Sequence, residues 1–94
     1  SNETYNFESL PWERSKTDFV EFVYAVYFLL YNNDPNITLK KLADQMKVIF
    51  AVEIKDFYRT YTDIKIRANP TQLIDEMKGR LLESINDEDK YQPE

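Results

Sequence analysis

The stretch Phe19-Val20-Glu21-Phe22-Val23-Tyr24-Ala25-Val26-Tyr27-Phe28-Leu29-Leu30-Tyr31 decides the fold, and Glu21 is its single charge. Phe19, Phe22, Val23, Val26, Tyr27 and Leu30 recur at helical spacing, while Val20, Tyr24 and Phe28 make the opposite side apolar too. A helix that is apolar all round is one that other elements surround. A membrane span needs ~17–25 apolar residues, so this segment is too short to cross a bilayer, and it starts too far inside the chain for a signal peptide. It reads as the buried central helix of a small domain, over Phe19–Leu30. Ser15-x-x-Asp18 ahead of it has the form of a capping box. The turn formers of Tyr31-Asn32-Asn33-Asp34-Pro35-Asn36 end it.

Three further helices follow outward from this one. Thr38 is a suitable N-cap for a second, whose inner stripe is Leu39, Leu42, Ala43, Met46 and Ile49 or Phe50. Ala51 to Glu53 reads as a short connection. From about Ile54 a third helix places Ile54, Phe57, Tyr58, Tyr61 and Ile64 on one face. Ile64 to Arg67 alternates and allows a short extended exit. Asn69-Pro70-Thr71-Gln72 reads as the start of a fourth helix, Asn capping and Pro in the first turn. Its stripe is Leu73, Ile74, Met77, Leu81 and Ile85, and Gly79 inside it costs ~1 kcal/mol against Ala unless it permits close packing. The expected organisation is an extended N-terminal arm over 1–14, a helical domain over 15–87 and an acidic tail over 88–94. Tyr5, Phe7, Leu10 and Trp12 are the arm residues able to fold back onto the domain. Ser1-Asn2 and the abrupt acidic start read as a fragment cut from a longer protein.

Ninety-four residues make one domain. With no Cys and no His, disulfides, thiolate or imidazole metal sites and imidazole-based catalysis are excluded. A single Gly excludes Gly-rich phosphate loops. The carboxylates nearest in sequence, Glu53/Asp56 and Asp75/Glu76, fall on expected polar faces, where solvated surface explains them better than an acid–base pair. Asp87-Glu88-Asp89 lacks the loop pattern of an EF-hand. No enzyme and no cofactor is expected. What remains is a cytoplasmic binding or interaction module.

The net charge of -5 argues by itself against nucleic acid, but it averages over two unlike regions. Thr38 to Arg67 holds seven bases and four acids, a balance of +3, and the remainder carries -8. The second and third helices lie in that basic middle. An inner stripe with a small Ala43, a short turn and a second amphipathic helix is the layout of a helix-turn-helix, whose second helix enters the major groove. In that layout Lys40, Lys41 and Lys47 reach phosphates, while Lys55, Arg59, Thr62, Lys65 and Arg67 lie on or beside the reading helix. Arg59 suits guanine O6 and N7, and Thr60 or Thr62 suits a base or a phosphate. Asp56 and Asp63 share that face. On spacing alone a plain αα-hairpin fits better, because the turn lacks its usual Gly. Tyr24, Tyr27, Tyr31, Phe57, Tyr58 and Tyr61 could stack on single-stranded bases, but aromatics at helical spacing are far more often core or subunit interface.

Trp12-x-x-Ser15-Lys16-Thr17-Asp18, Glu21-x-x-Tyr24-Ala25, Asn32-Asn33 and Asp56-Phe57-Tyr58-Arg59-Thr60 together resemble the C-terminal part of the RteC (tetracycline regulation of excision) family, from about Trp12 to Asp87. The Ser-Lys-Thr and Asp-Phe-Tyr-Arg-Thr pieces are its most specific parts. The resemblance implies the C-terminal, winged-helix-like domain of a two-domain transcriptional activator, encoded on conjugative transposons and acting upstream of excision genes. It places the recognition helix at about 54–65. Only Ile66 to Asn69 separates the third and fourth helices, so the wing is short or absent. The expectation is therefore a mainly α, four-helix domain with a helix-turn-helix. It binds double-stranded DNA through Lys40, Lys41, Lys47, Lys55, Arg59, Thr60, Thr62, Lys65 and Arg67, beside its own missing N-terminal domain. A homodimer is left open, and no membrane is involved. The alternative is a protein-interaction or dimerisation module, marked by a contiguous exposed apolar patch.

Overall fold

The structure is a computed structural model and describes residues 8–88. Among these residues there are four α-helices and no strand: α1 (Lys16–Val26), α2 (Leu39–Phe50), α3 (Phe57–Ile66) and α4 (Gln72–Asp87). α1 continues directly into a π-helical stretch, Tyr27–Tyr31. The domain is mainly helical with four helices, as expected. No wing or small sheet occurs among the described residues, and Ile64–Ile66 stays in α3 instead of leaving it extended.

α1 is the hub. Phe19, Val20 and Val23 on it are fully buried, and it packs against each of the other three helices. Ser15 starts it by accepting the Asp18 amide at 3.0 Å, half of the expected capping box. The Asp18 carboxylate does not complete the box; it takes Arg14 Nε at 2.8 Å. The arm folds back through Trp12, whose ring meets Phe19 and Phe50 edge-on and whose Nε1 donates to Ser15 O. The Leu10 amide donates to Ile49 O at 2.8 Å, although the Leu10 side chain itself is exposed. Tyr5 and Phe7 lie outside the described residues.

The interruption in the apolar run, Glu21, is 5% exposed and holds the fourth helix in place. Its carboxylate accepts the amides of Leu73 and Ile74 at 3.1 and 2.9 Å and pairs with the Arg67 guanidinium. With Thr71 as N-cap, those are the second and third amides of α4, the donors that a local capping side chain would take. Thr71 makes no such bond. A carboxylate at a helix N-terminus also meets the positive end of the helix dipole. Arg67 donates further to Asn69 O and Pro70 O, which fixes the α3–α4 turn onto the same site. The helix start therefore lies two residues beyond the expected Asn69 cap. Asn69 instead folds the turn, its Oδ1 accepting the Thr71 amide.

α2 begins as expected, with Thr38 Oγ1 accepting the Lys41 amide. It ends in a Schellman motif: the Val52 amide donates to Lys47 O and the Ala51 amide to Val48 O. Ala51 takes the left-handed conformation at φ 53°, where Gly is usual. Val52 then turns inward and is buried, and Ile54 follows half-buried. This inward, extended passage delays α3 to Phe57, not the expected Ile54, and the connection runs over Ala51–Asp56. A helix-turn-helix turn of 3–4 residues is shorter than that.

Two expectations about burial are overturned. α1 is surrounded only as far as Tyr24; Phe28, Leu29 and Leu30 are exposed, Leu29 by 82%. Of the α4 stripe only Leu73 is buried, while Met77, Leu81 and Ile85 face out with Leu82. In both cases the periodicity marked an apolar face correctly, but the other helices end before covering it. Gly79 has no role in close packing, since a Cβ there would meet nothing within 4 Å.

Two predictions follow from these contacts. Removing one partner of a buried, hydrogen-bonded ion pair costs about 3–5 kcal/mol, so Glu21→Ala should lower the urea midpoint drastically or unfold the chain. A midpoint within about 1 kcal/mol of wild type would show that α4 is held by its apolar contacts instead. Separately, the left-handed position favours glycine and the open helical position favours alanine. Ala51→Gly and Gly79→Ala should each raise stability by about 0.5–1 kcal/mol, seen as higher melting temperatures.

Candidate nucleic-acid interface

α3 is fastened to α1 by aromatic stacking. The Tyr24 ring lies almost parallel to Tyr61, with centroids 3.6 Å apart, and stacks on Phe57 at 5.5 Å. Phe57 and Ile64 are buried along the same line. At 100° per residue, Arg59, Thr62 and Ile66 fall opposite that line, and all three are exposed. Asp63 flanks Arg59 on this outward face, and Tyr58 and Lys65 lie on its other flank. Lys65 is held over the Tyr61 ring at 5.1 Å.

α2 supplies cations beside this helix. Lys47 sits 5.6 Å from the Phe57 ring centroid and 3.9 Å from Asp44. Lys40 bonds Asp44 at 2.7 Å, which raises the lysine's pKa and lowers the carboxyl's. Lys41 is exposed, as is Lys55 in the α2–α3 connection, one residue before the Asp56 N-cap.

The expected site residues thus separate. Lys40, Lys41, Lys47, Lys55, Arg59, Thr62 and Lys65 lie on α2, on α3 or between them with their charged or polar ends accessible, Lys47 the least so. Thr60 is half-buried near the core line and donates its hydroxyl to Asp56 O; Thr62 donates likewise to Tyr58 O. Arg67 stands apart, its guanidinium committed to Glu21 and the α3–α4 turn. Arg59 forms no ion pair with Asp56 or Asp63 among the described residues.

The family model described as RteC protein matches residues 1–89. The chain belongs to the RteC family. No curated protein and no solved structure matches it. For this RteC-family chain no helix of the described residues is long and apolar enough to cross a membrane.

One cation of the region escaped the reading of the sequence. Lys16, the first residue of α1, lines a cleft together with Lys47 and Lys55. A lysine at a helix N-terminus is a detectable oddity, because cations are favoured at the other end.

The stack that fixes α3 also yields a pH prediction. Burial, with smaller contributions from Tyr58 and Tyr61, pushes the Tyr24 hydroxyl up to about 12. An unfolded tyrosine titrates near 10, so above that pH the unfolded chain releases its proton first. Stability contributed by Tyr24 is therefore full below about pH 10 and is lost as pH rises toward about 12. Urea midpoints measured from pH 9 to 12 should fall more steeply for wild type than for Tyr24→Phe. Parallel curves would mean that the ring is more open to water than the stack implies.

Proposed function

We propose that this chain is a DNA-binding domain of a transcriptional regulator controlling excision genes of a mobile element, with α3 as the helix that enters the major groove. Membership of the RteC family fits that context. The observation that carries the reading is the placement of α3. Its inner face is stacked on α1, its outer face presents Arg59 and Thr62, and Lys47 of α2 stands against its first residue with Lys55 just before it. Arg59 reads guanine, Thr62 bonds a base or a phosphate, and Lys40, Lys41, Lys47, Lys55 and Lys65 supply phosphate contacts. Arg67 serves the fold and is left out of this surface. The α2–α3 connection makes this a helix pair with a longer turn than a standard helix-turn-helix, and the reading does not depend on a wing.

A second reading has its own observation. Phe28, Leu29 and Leu30 form an exposed apolar end on α1, and Met77, Leu81, Leu82 and Ile85 another on α4. Exposed apolar patches mark protein contacts, so a protein-interaction or dimerisation module is the alternative. The two readings share the chain without conflict if the apolar ends assemble it and α3 meets DNA.

Fluorescence anisotropy separates them. The duplex upstream of the neighbouring excision genes is compared with a scrambled duplex across a salt series. The DNA reading expects tighter binding to the cognate duplex and a steep loss as salt rises. Arg59→Ala should cost about 1–3 kcal/mol on the cognate duplex and narrow the difference from the scrambled one. No binding at low salt, with concentration-dependent self-association, would leave the interaction module standing.

A further inference from the structure

Three lysines from three separate elements converge on one open cleft of about 740 Å³: Lys16 from the start of α1, Lys47 from the last turn of α2 and Lys55 from the connection. Val48 and Ala51 to Ile54 line it as well, together with the carboxylate residues Asp44 and Glu53. Asp44 is already bonded to Lys40, so its charge is largely answered. Lys47 is held between the Asp44 carboxylate and the Phe57 ring, which fixes the position of its ammonium group.

The placement of the other two is electrostatically unfavourable for the isolated chain. Lys16 is the first residue of α1, and Lys55 directly precedes the Asp56 N-cap of α3. Each therefore stands at the positive end of a helix dipole, where a cation is disfavoured and an anion favoured. α3 has no acidic residue in its first turn, and Asp56 does not cap it through its side chain. α1 is capped by Ser15 and has Asp18 in its first turn, whereas the start of α3 has neither device and is preceded by a cation, a local choice that an anionic ligand beside Lys55 would answer. An anion in the cleft would meet the side chains of Lys16, Lys47 and Lys55 together.

The geometry points to this cleft as a seat for a phosphate group, supplied by the backbone of the duplex that α3 reads, with Lys16, Lys47 and Lys55 as its donors. This rests on the DNA reading and extends it. The cleft lies beside the N-terminus of α3, so a strand passing it is fixed in register with Arg59 before any base is contacted. Lys16 brings α1 into the contact, and with it the Ser15-Lys16-Thr17 segment that the proposed reading surface otherwise leaves without a part.

The test uses the full chain in two arms. In the first, the salt dependence of duplex binding is measured for wild type, Lys16→Gln, Lys55→Gln and, as a control on the distant part of α4, Lys78→Gln. Each lost phosphate contact should reduce the slope of log affinity against log salt by ~0.9, so Lys16→Gln and Lys55→Gln should each be shallower and Lys78→Gln unchanged. In the second arm, inorganic phosphate is titrated while the backbone amides of Lys16, Val52, Glu53 and Lys55 are followed by NMR. Shallower slopes in the first arm with no saturable shift in the second support a duplex phosphate. Saturable shifts that vanish in Lys16→Gln, with unchanged duplex slopes, would overturn the duplex source and assign a free phosphate-bearing ligand. Unchanged slopes with no phosphate shifts would overturn the cleft altogether. If Arg59→Ala still abolished cognate preference in that last case, the DNA reading would stand without it. If wild type bound no duplex and phosphate shifted nothing, both would fall.

Discussion

One carboxylate sets the arrangement of this domain. Glu21 lies inside an otherwise apolar helix, and every partner its buried carboxylate needs is supplied from one place. Two amides of α4 and the guanidinium of Arg67 converge on it from a turn more than forty residues away. An uncompensated charge in that position would be very costly, so the arrangement is conditional on α4 docking in one register. The pair thereby converts a non-directional apolar contact between α1 and α4 into a specific one. The Arg14–Glu76 bond at 2.7 Å ties the arm to the next turn of the same helix, at the surface.

Past that attachment the chain runs out of neighbours. α1 leaves the core beyond Tyr24, and α4 leaves it beyond Glu76. The π-helical stretch begins three residues after Tyr24, with Phe28, Leu29 and Leu30 on it. Such π turns occur often at functional positions, because they relax the helical ladder where something else must be accommodated. Both apolar ends continue helices whose inner turns are packed in the core. The small core and the two protruding faces are consequences of the same fact, that three short helices cannot wrap the full length of α1 or α4.

Much of this was legible in the amino acids, and the limits have physical causes. Helix number, the Ser15 and Thr38 caps and the inner stripe of α2 are encoded locally, within a turn or two, and they appear as read. The family resemblance rests on residues that the matching model also spans. What could not be read is long-range. Periodicity shows that Leu81 and Ile85 share a face with Leu73, but not that only Leu73 finds a partner. Glu21 appeared as an interruption because its partners lie at 67, 73 and 74. Arg67 was counted with the basic surface for the same reason, since nothing adjacent to it declares the ion pair. The start of α3 was misplaced because Ile54 continues the apolar period while serving the floor of a loop. Lys16 was read only within the Ser15-Lys16-Thr17 piece of the family resemblance, and only the cleft groups it with other cations.

The acidic total charge is a weaker objection to DNA than it first appears, once the charges are followed into the structure. Glu21 is neutralised internally, Asp18 and Glu76 are held by Arg14, with Arg80 also on Glu76, and Asp44 by Lys40. Of the acids on α4 outside these ion pairs, Asp75 is bonded to Asn69 and Thr71 in the first turn, while Glu83 and Asp87 lie on the exposed far end. With a Debye length of about 8 Å at physiological ionic strength, charges at that end act little on a phosphate beside α2 and α3. There the local set is Lys16, Lys41, Lys47, Lys55, Arg59 and Lys65, opposed at short range by Glu53, Asp56 and Asp63. On the proposed DNA reading, a duplex approaching the basic side would be attracted and one approaching along the free end of α4 repelled. On that reading the net charge acts on orientation rather than against binding, favouring the approach in which α3 faces the groove.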